Sequence, residues 1–347
     1  MTTWTKSDRL NAVFAGEQAD RPPVSAYSHE IASERAGADL AAGTLASVKK
    51  WDWDWIKLNP RTVHYAEAWG NEYDYDDYPI SGLPIPAQKK AVINTPEDLW
   101  KIDQLDIATN KFIQEQLDVI RKVKEGAPDT PVFATLYSPV NVFAKLAGIP
   151  SWPGDALKVP GSSSNLSFKD FVKADRAGVH HALRIIAESL GRYGEAQKEA
   201  GAEGQVFVIA TLTQPAFFSE AEFNEFSRPY DSIALDGGQG LHRVVHTCGA
   251  DSHPQWFQDY PIEGINWDHE DPSNQDFAAP LKKVKVGGVS HLLIANEPTA
   301  DVLDEVRSQV RQAREQTNDH LVVAPTCSIS SETSDEALQA FKEAATE

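Results

Sequence analysis

The sequence has no excess of positive charge. Its 347 residues include 32 Lys plus Arg against 51 Asp plus Glu, which gives a formal net charge of -19. A surface of this charge repels phosphate backbones and anionic lipid headgroups, so we expect neither nucleic acid nor a membrane as a partner. Solubility or a saline cytoplasm explains the acidity more simply than a role in docking, and we assign it no mechanism.

Long apolar stretches are also absent. The segment from Met1 to Asp8 is polar and contains no apolar signal core, and no uncharged apolar run reaches the roughly 18 residues that a membrane-spanning helix needs. Hydrophobic residues make up 41% and charged residues 24% of the chain, a composition typical of globular proteins in water. We therefore expect a cytoplasmic protein.

Cysteine is scarce. The chain contains 2 cysteines, Cys248 and Cys327, which lie far apart in the sequence. In a reducing compartment both stay thiols and are available for metal binding or catalysis. A single disulfide between them is the alternative.

Short apolar strands alternate with helical segments along the whole chain. We expect strands at 21–27, 55–59, 131–136, 206–211, 241–247, 264–267, 286–289 and 321–324. We expect helices at 7–15, capped by Ser7, and at 32–50, 112–124, 168–198, 220–235, 276–284, 299–316 and 331–345. A hairpin or irregular excursion is expected at 63–93, and a loop rich in Gly, Pro and Ser at 149–165.

This alternation, without a linker or an internal repeat, predicts one α/β domain over residues 1–347. Its fold is a TIM-type parallel barrel with right-handed crossovers and an N-terminal helical and hairpin excursion. A doubly wound open sheet is the alternative. In a barrel, functional groups follow the carboxyl ends of the strands, so these ends are where a site is expected.

Three potential metal ligands follow such strand ends. His246 and Cys248 come at the end of strand 241–247, and Cys327 lies just beyond strand 321–324. Two residues apart on an extended segment, His246 and Cys248 point in the same direction and can grip one ion. The alternative is a buried strand cysteine beside a core histidine, which is common. We favour a zinc (Zn²⁺) site, because the chain's only cysteines both follow strand ends.

Three protein ligands leave one position of a tetrahedral zinc site open, which is typical of catalytic sites. A thiol that binds there loses its proton at neutral pH and becomes a nucleophile. Asp268 and Glu270 follow strand 264–267 and are candidates for a fourth ligand or for the base that accepts the thiol proton. A helix cap or a solvated acidic loop is the alternative for both.

Three further residues are candidates for substrate binding. Arg61 follows the second strand, and its guanidinium suits a carboxylate or sulfonate, with a surface salt bridge as the alternative. His29 follows the first strand. Gln214 follows strand 206–211 and could line the pocket, although such residues are also ordinary strand terminators.

Several stretches of the chain resemble the uroporphyrinogen decarboxylase superfamily, and together they run over nearly its whole length. They are Asp20-Arg21-Pro22-Pro23-Val24, Tyr137-Ser138-Pro139, Arg228-Pro229-Tyr230, His246-Thr247-Cys248-Gly249 and Ala324-Pro325-Thr326-Cys327-Ser328-Ile329. The resemblance implies the barrel fold.

Within that superfamily, a His-x-Cys with a distant C-terminal cysteine resembles the zinc site of the cobalamin-dependent methyltransferases. This resemblance implies that His246, Cys248 and Cys327 hold zinc, and that a methyl group passes from a methylated corrinoid to a thiol such as coenzyme M. No Asp-x-His-x-x-Gly stretch of the corrinoid-binding kind occurs, so a cobalamin would arrive on a partner protein or bind free.

The true decarboxylases carry paired arginines after the first strand and an aspartate at a later strand end. Here no arginine follows the first strand until Arg35, and Thr211 to Gln214 stand where that aspartate is expected. We therefore predict a zinc-dependent methyltransferase. The alternatives are a thiol alkyltransferase without corrinoid, a decarboxylase-like lyase and a non-enzymatic corrinoid-delivery module. The sequence leaves a homo-oligomer open.

Overall fold

The structure is a computed structural model that describes residues 4–78, 84–149 and 166–347. Its strands are β1 (Ile56–Leu58), β2 (Glu72–Asp74), β3 (Ala87–Lys90), β4 (Val132–Tyr137), β5 (Gly204–Ala210), β6 (His242–Thr247), β7 (Gly264–Asn266), β8 (Val284–Val289) and β9 (Leu321–Pro325). Its α-helices are α1 (Lys6–Phe14), α2 (Gly37–Trp51), α3 (His64–Trp69), α4 (Lys111–Gly126), α5 (Pro139–Leu146), α6 (Phe168–Glu199), α7 (Glu220–Phe226), α8 (Arg228–Asp236), α9 (Ala300–Thr317) and α10 (Asp335–Thr346). Short 3-10 helices lie at Pro96–Lys101 and Pro254–Phe257.

A parallel sheet of strand order β1-β4-β5-β6-β7-β8-β9 forms the centre of the described structure. Every neighbouring pair is parallel, and every residue of β4, β5 and β9 is buried. Burial on both faces is what a sheet covered by crossover helices requires, and it explains the continuous apolar runs. The α/β barrel predicted from the sequence is confirmed.

The segment expected as the first strand closes the barrel between β9 and β1. Val24 forms a parallel bridge with Val323, and Ser28 forms one with Ile329. On the other side, the amide of Asp54 donates to the carbonyl of Val24. Isolated bridges therefore occupy the eighth position of the barrel, where the sequence predicted a continuous strand.

Three predictions about helices need correction. The helix expected at 276–284 is absent, because Pro280 has no amide hydrogen to donate and Asp276 caps a turn through the amide of Ala278. The helix expected at 220–235 is divided into α7 and α8, with Pro229 in the first turn of the second. Thr5, not Ser7, caps α1, in a capping box with Asp8.

The predicted excursion contains α3 and an antiparallel hairpin of β2 and β3. The loop expected at 149–165 lies outside the described residues after position 149. In the parts of the chain that the structure describes, no helix is both long and apolar enough to cross a membrane.

Candidate metal centre

The three predicted metal ligands meet at the carboxyl end of the barrel. His246 belongs to β6, Cys248 follows it directly, and Cys327 follows β9. Their ligand atoms all lie within 4.8 Å of one another, although Cys327 is remote from the other two along the chain. His246 and Cys248 are buried, whereas Cys327 is partly exposed. We call these three residues the metal cluster, and it opens to solvent on the side of Cys327.

Asn266, at the end of β7, fixes the orientation of the histidine. Its side-chain nitrogen donates to the carbonyls of Val286 and Pro325, at 2.7 and 3.2 Å. Its oxygen therefore faces His246 Nδ1, at 2.5 Å, and can only accept. The proton of the imidazole is held on Nδ1, and the lone pair of Nε2 points towards Cys327 Sγ, 3.6 Å away.

A break in the sheet positions Cys248. The β5–β6 register shifts between Val208 and Ala210, and Ala210 has a φ of 57°, in the left-handed region that costs a non-glycine residue conformational energy. The carbonyl of Ala210 accepts the amide hydrogen of Cys248, at 3.1 Å. Ala210, in its strained conformation, thus fixes the backbone position of the potential metal ligand Cys248.

The pKa values of the two cysteines are shifted in opposite directions. The pKa of Cys327 is lowered well below its usual range by the hydrogen bond from the Cys248 thiol, while burial opposes the shift. The pKa of Cys248 is raised well above its usual range, because its thiol donates that hydrogen bond and is buried. Cys327 is therefore the sulfur that loses its proton more readily, and thiolate and imidazole are both ligands that zinc accepts.

Lys57, in β1, is a buried neighbour of the cluster that the sequence reading missed. Its ammonium donates to Asn59 Oδ1 at 2.7 Å and lies 4.4 Å from the centroid of the Tyr27 ring. Burial lowers the pKa of Lys57 to about 8, and the sulfurs of Cys327 and Cys248 act in the opposite direction. An interior strand position gave no sequence signal for this role, since alternating strand residues normally serve packing.

Asp268 lies next to the cluster with one oxygen unused. It is 7% exposed, and within the described residues its Oδ1 has no hydrogen-bond partner. Burial raises the pKa of Asp268; His291, whose Nδ1 is 3.9 Å from Oδ2, lowers it, and Cys327 raises it further. His291 itself is hydrogen-bonded to Thr326 Oγ1, at 2.7 Å. A buried, under-satisfied carboxyl beside a thiolate is suited to exchanging a proton.

Glu270 does not share this environment, although the sequence paired it with Asp268. One of its oxygens lies 2.9 Å from His269 Nδ1, and the other accepts from Gln309 of α9, at 3.1 Å. Its side chain is 38% exposed. Asp268 interacts electrostatically with the two cysteines, whereas the chain turns after Trp267 and directs Glu270 towards the outer helix. The ligand atoms within 4.8 Å of one another belong to His246, Cys248 and Cys327, and a catalytic role for Asp268 or Glu270 stays a prediction.

Arg61 has a structural environment that differs from the predicted one. Its Nε donates to Glu67 Oε2 at 2.8 Å, its Nη2 lies 2.7 Å from Glu115 Oε2, and its Nη1 donates to the carbonyl of Arg35. All three nitrogens are engaged, and the side chain is buried. The predicted alternative, a salt bridge, is what the structure shows, but inside the protein and not on its surface.

The contacts of the other two predicted substrate-binding residues, His29 and Gln214, do not decide whether they bind substrate. His29 Nδ1 lies 2.6 Å from Glu34 Oε1, in a pair that is mostly buried. Gln214 is buried, and its backbone N–H donates to the carbonyl of Thr211 in a turn. Substrate binding by His29 and Gln214 stays a prediction.

A second lysine, which is partly buried, also gave no signal in the sequence. Lys145 of α5 lies with its ammonium 5.0 Å from the ring centroid of Tyr137, at the end of β4. Burial lowers the pKa of Lys145 to about 8. Burial raises the pKa of Tyr137, Glu34 raises it further, and Cys248 and Cys327 add smaller contributions, so the ring lies on the cluster's side of the barrel.

Comparison with known proteins identifies the family. The sequence profile of the uroporphyrinogen decarboxylase family matches residues 5–347. The chain belongs to the uroporphyrinogen decarboxylase family. The resemblance predicted from its motifs is thus confirmed. No curated protein matches the sequence of this chain.

Solved structures with the same fold include two enzymes. A methyltransferase from Methanosarcina mazei is 19% identical, with a TM-score of 0.73 over 99% of this chain and 98% of that one. A B12-independent methionine synthase from Shewanella sp. W3-18-1, in complex with selenomethionine, is 14% identical, with a TM-score of 0.57 over 94% and 97% of the two chains. These similarities establish the barrel fold of this uroporphyrinogen decarboxylase family member.

Proposed function

We propose that this chain is a zinc-dependent methyltransferase that moves a methyl group from a methylated corrinoid to a small-molecule thiol. The observation that carries the proposal is the meeting of His246, Cys248 and Cys327, with their ligand atoms within 4.8 Å of one another at the barrel mouth. One nitrogen and two sulfurs suit zinc, and three protein ligands are typical of its catalytic sites.

The spacing of the donor atoms supports the choice of metal. Zinc bonds of about 2.3 Å to sulfur and about 2.05 Å to nitrogen, at a tetrahedral angle, separate the two donor atoms by about 3.6 Å. The distance between Cys327 Sγ and His246 Nε2 is 3.6 Å. The residues therefore fit a zinc ion with little rearrangement. When bound, zinc supplies the positive charge that lowers the pKa of an acceptor thiol.

The chain's own residues have separate tasks in this proposal. Asn266 holds His246 in the tautomer that presents Nε2. Asp268, with its free oxygen, accepts the proton that the acceptor thiol loses. The acceptor sulfur then forms a bond to the methyl carbon, and the electron pair of the broken bond stays with the donor. Both substrates are proposed to approach from the side of Cys327, which is partly exposed.

The methyl donor is proposed as a corrinoid that is carried by a partner protein or binds free. The similarity to the Methanosarcina mazei methyltransferase over nearly the full length of both chains supports methyl transfer. The absence of a corrinoid-binding motif in the sequence supports delivery from outside.

A second candidate keeps the metal and the thiol but takes the alkyl group from a donor without corrinoid. The similarity to a B12-independent methionine synthase favours it. Methylcobalamin separates the two candidates, because its absorbance changes when the methyl group leaves. Zinc-loaded protein that demethylates methylcobalamin with a thiol present supports the corrinoid donor; zinc-loaded protein that does not, across several thiols, supports the second candidate.

The role of Asp268 has a matched control in Glu270. We expect Asp268→Asn to lower kcat/KM for the thiol by about 100-fold or more at neutral pH, because a general base contributes about that factor. Glu270→Gln, two residues away and bound to His269 and Gln309, is expected to leave it within about twofold of wild type. Equal effects of the two substitutions would contradict the assignment of Asp268.

A further inference from the structure

Lys57 is a buried cation whose neighbours leave its charge unbalanced. It is 7% exposed, and its ammonium is surrounded by the Asn59 amide oxygen, the Ser328 hydroxyl at 3.4 Å and the face of the Tyr27 ring. Each of these groups is neutral. Buried lysines are rare, and a buried charge is normally paired with an opposite one.

The side chains that act electrostatically on Lys57 are the cysteines of the metal cluster, and Ser328, whose hydroxyl lies 3.4 Å from the ammonium, follows Cys327 directly. Among the residues that the structure describes, no carboxylate oxygen lies within 4.0 Å of its ammonium, whereas the charges of Cys327 and Cys248 both act on it. Asp268 interacts with the same cysteines: it contributes to raising the pKa of Cys248, and Cys327 contributes to raising the pKa of Asp268. The lysine is therefore placed to respond to the charge of the metal cluster and of whatever binds there.

Counting charges shows when that response is needed. A divalent cation with two thiolates and a neutral imidazole carries no net charge. An anionic acceptor sulfur brings the total to one negative charge, which is costly to hold in a buried site. The ammonium of Lys57 restores neutrality, whereas a neutral ligand in the same place needs no such compensation.

We propose that Lys57 is a positioning residue that makes the fourth position of the metal cluster selective for anionic sulfur over neutral ligands. The inference rests on the proposed function, since it assumes that a thiol binds there. It assigns to Lys57 an electrostatic task without direct contact with the substrate.

The competing explanation is structural. Ser328 follows Cys327 directly and accepts hydrogen bonds from both Lys57 and Asn59, so the lysine also stabilises the loop that carries the metal-binding cysteine. Loss of these hydrogen bonds would weaken binding of the metal and of every added molecule, thiol or imidazole, to the same extent. Ser328→Ala removes the hydroxyl but keeps the charge, and it is the matched control.

The test uses the full chain loaded with cobalt(II), whose visible and near-ultraviolet bands report ligands at the metal. Wild type, Lys57→Met, Lys57→Arg and Ser328→Ala are titrated with 2-mercaptoethanol and with imidazole at one fixed pH, after their cobalt content is measured. We expect Lys57→Met to bind the thiol about tenfold or more weakly, because a nearby opposite charge in a buried site is worth at least that factor. Imidazole affinity is expected to stay within about twofold, because imidazole binds as a neutral ligand.

Rescue distinguishes charge from shape. Lys57→Arg is expected to restore most of the thiol affinity, and Ser328→Ala is expected to keep the preference for thiol over imidazole. An equal loss for both ligands, or unchanged thiol affinity in Lys57→Met, overturns the inference. If Lys57→Met does not hold one cobalt per chain, Lys57→Gln, which keeps a polar contact to Asn59, is judged by the same criteria. Wild-type protein that holds cobalt but binds no thiol refutes the proposed function itself, which is a different result.

Discussion

Two buried polar clusters follow strand ends in this barrel, and their hydrogen bonding differs. In the arginine cluster, formed by Arg61, Glu67 and Glu115, each guanidinium nitrogen meets an acceptor of its own chain, and the one positive charge is shared by two carboxylates. In the metal cluster, an imidazole nitrogen and two sulfurs face one another, with their ligand atoms within 4.8 Å. The first cluster is complete, whereas the second has lone pairs directed at a common point.

We interpret the difference as one between a structural cluster and a candidate metal site. Burial and polarity are common to both, so neither property identifies a site alone. Completed pairs lock the fold, while converging donor atoms without a proton or cation between them bind a ligand from outside. The predictions below test that distinction, starting with the largest expected effect.

Arg61→Met is expected to lower the free energy of unfolding by about 3 kcal/mol, because it leaves the buried carboxylate of Glu67 without its cation, while Glu115 is partly exposed to solvent. Urea unfolding measures the loss, and zinc content per folded chain is expected to stay at the wild-type value. The double variant Arg61→Met with Glu67→Gln should recover part of the stability. An Arg61→Met protein of normal stability with a raised KM for an anionic thiol would support the prediction that Arg61 binds substrate.

Cys327→Ala is expected to show the opposite pattern. Removal of one of three ligands takes away roughly a third of a binding free energy of about 10 kcal/mol, which weakens zinc binding more than 100-fold. Zinc content after dialysis and competition with a chelator measure the change, and urea unfolding of the metal-free proteins serves as the control. Full zinc affinity in Cys327→Ala, with the alanine confirmed, would exclude the proposed centre.

Much of this distinction could be predicted from the sequence, and part of it could not. The scarcity of cysteine and the rule that sites follow strand ends predicted that His246, Cys248 and Cys327 lie together. Both observations can be made on the sequence without knowing how the helices pack. Arg61 follows a strand end as well, but its partner Glu115 lies on α4, and the pairing depends on helix packing that the sequence does not show. Lys57 and Asn266 occupy strand positions, where function cannot be told from packing before the sheet is assembled.

Asn266→Ala tests how much of the metal cluster depends on its support. The histidine would keep its position in β6 but lose the acceptor that fixes its tautomer. We expect zinc affinity to fall by about 10- to 100-fold, the usual effect of removing such a partner. Asn266→Asp keeps an acceptor oxygen and is the matched control for chelator competition. An unchanged affinity in Asn266→Ala would show that the cysteines alone determine binding.

Asp231 is an intermediate case, because it has one satisfied oxygen and one without a partner, but no converging donor atoms. Its Oδ2 accepts from Ser227 and Tyr260, at 2.8 and 2.7 Å, while Oδ1 has no partner within the described residues. Burial raises its pKa to about 7. If unsatisfied atoms mark a site only when they converge, this residue affects stability and not metal or thiol binding.

The pH dependence of unfolding tests this conclusion. Between about pH 4 and 7 the folded protein holds a proton on Asp231 that the unfolded chain has lost, so the residue's contribution to stability falls as the pH rises through this window. Asp231→Asn keeps an acceptor oxygen for Ser227 and Tyr260 and cannot ionise. Relative to wild type, we expect the variant to gain on the order of 1 kcal/mol per pH unit over that range. Other groups, such as His64, titrate equally in both proteins and cancel in the difference. If the stability curves of wild type and Asp231→Asn run parallel from pH 5 to 7, Asp231 is ionised in the folded protein. If Asp231→Asn changes zinc or thiol binding, a functional site does not require donor atoms that converge.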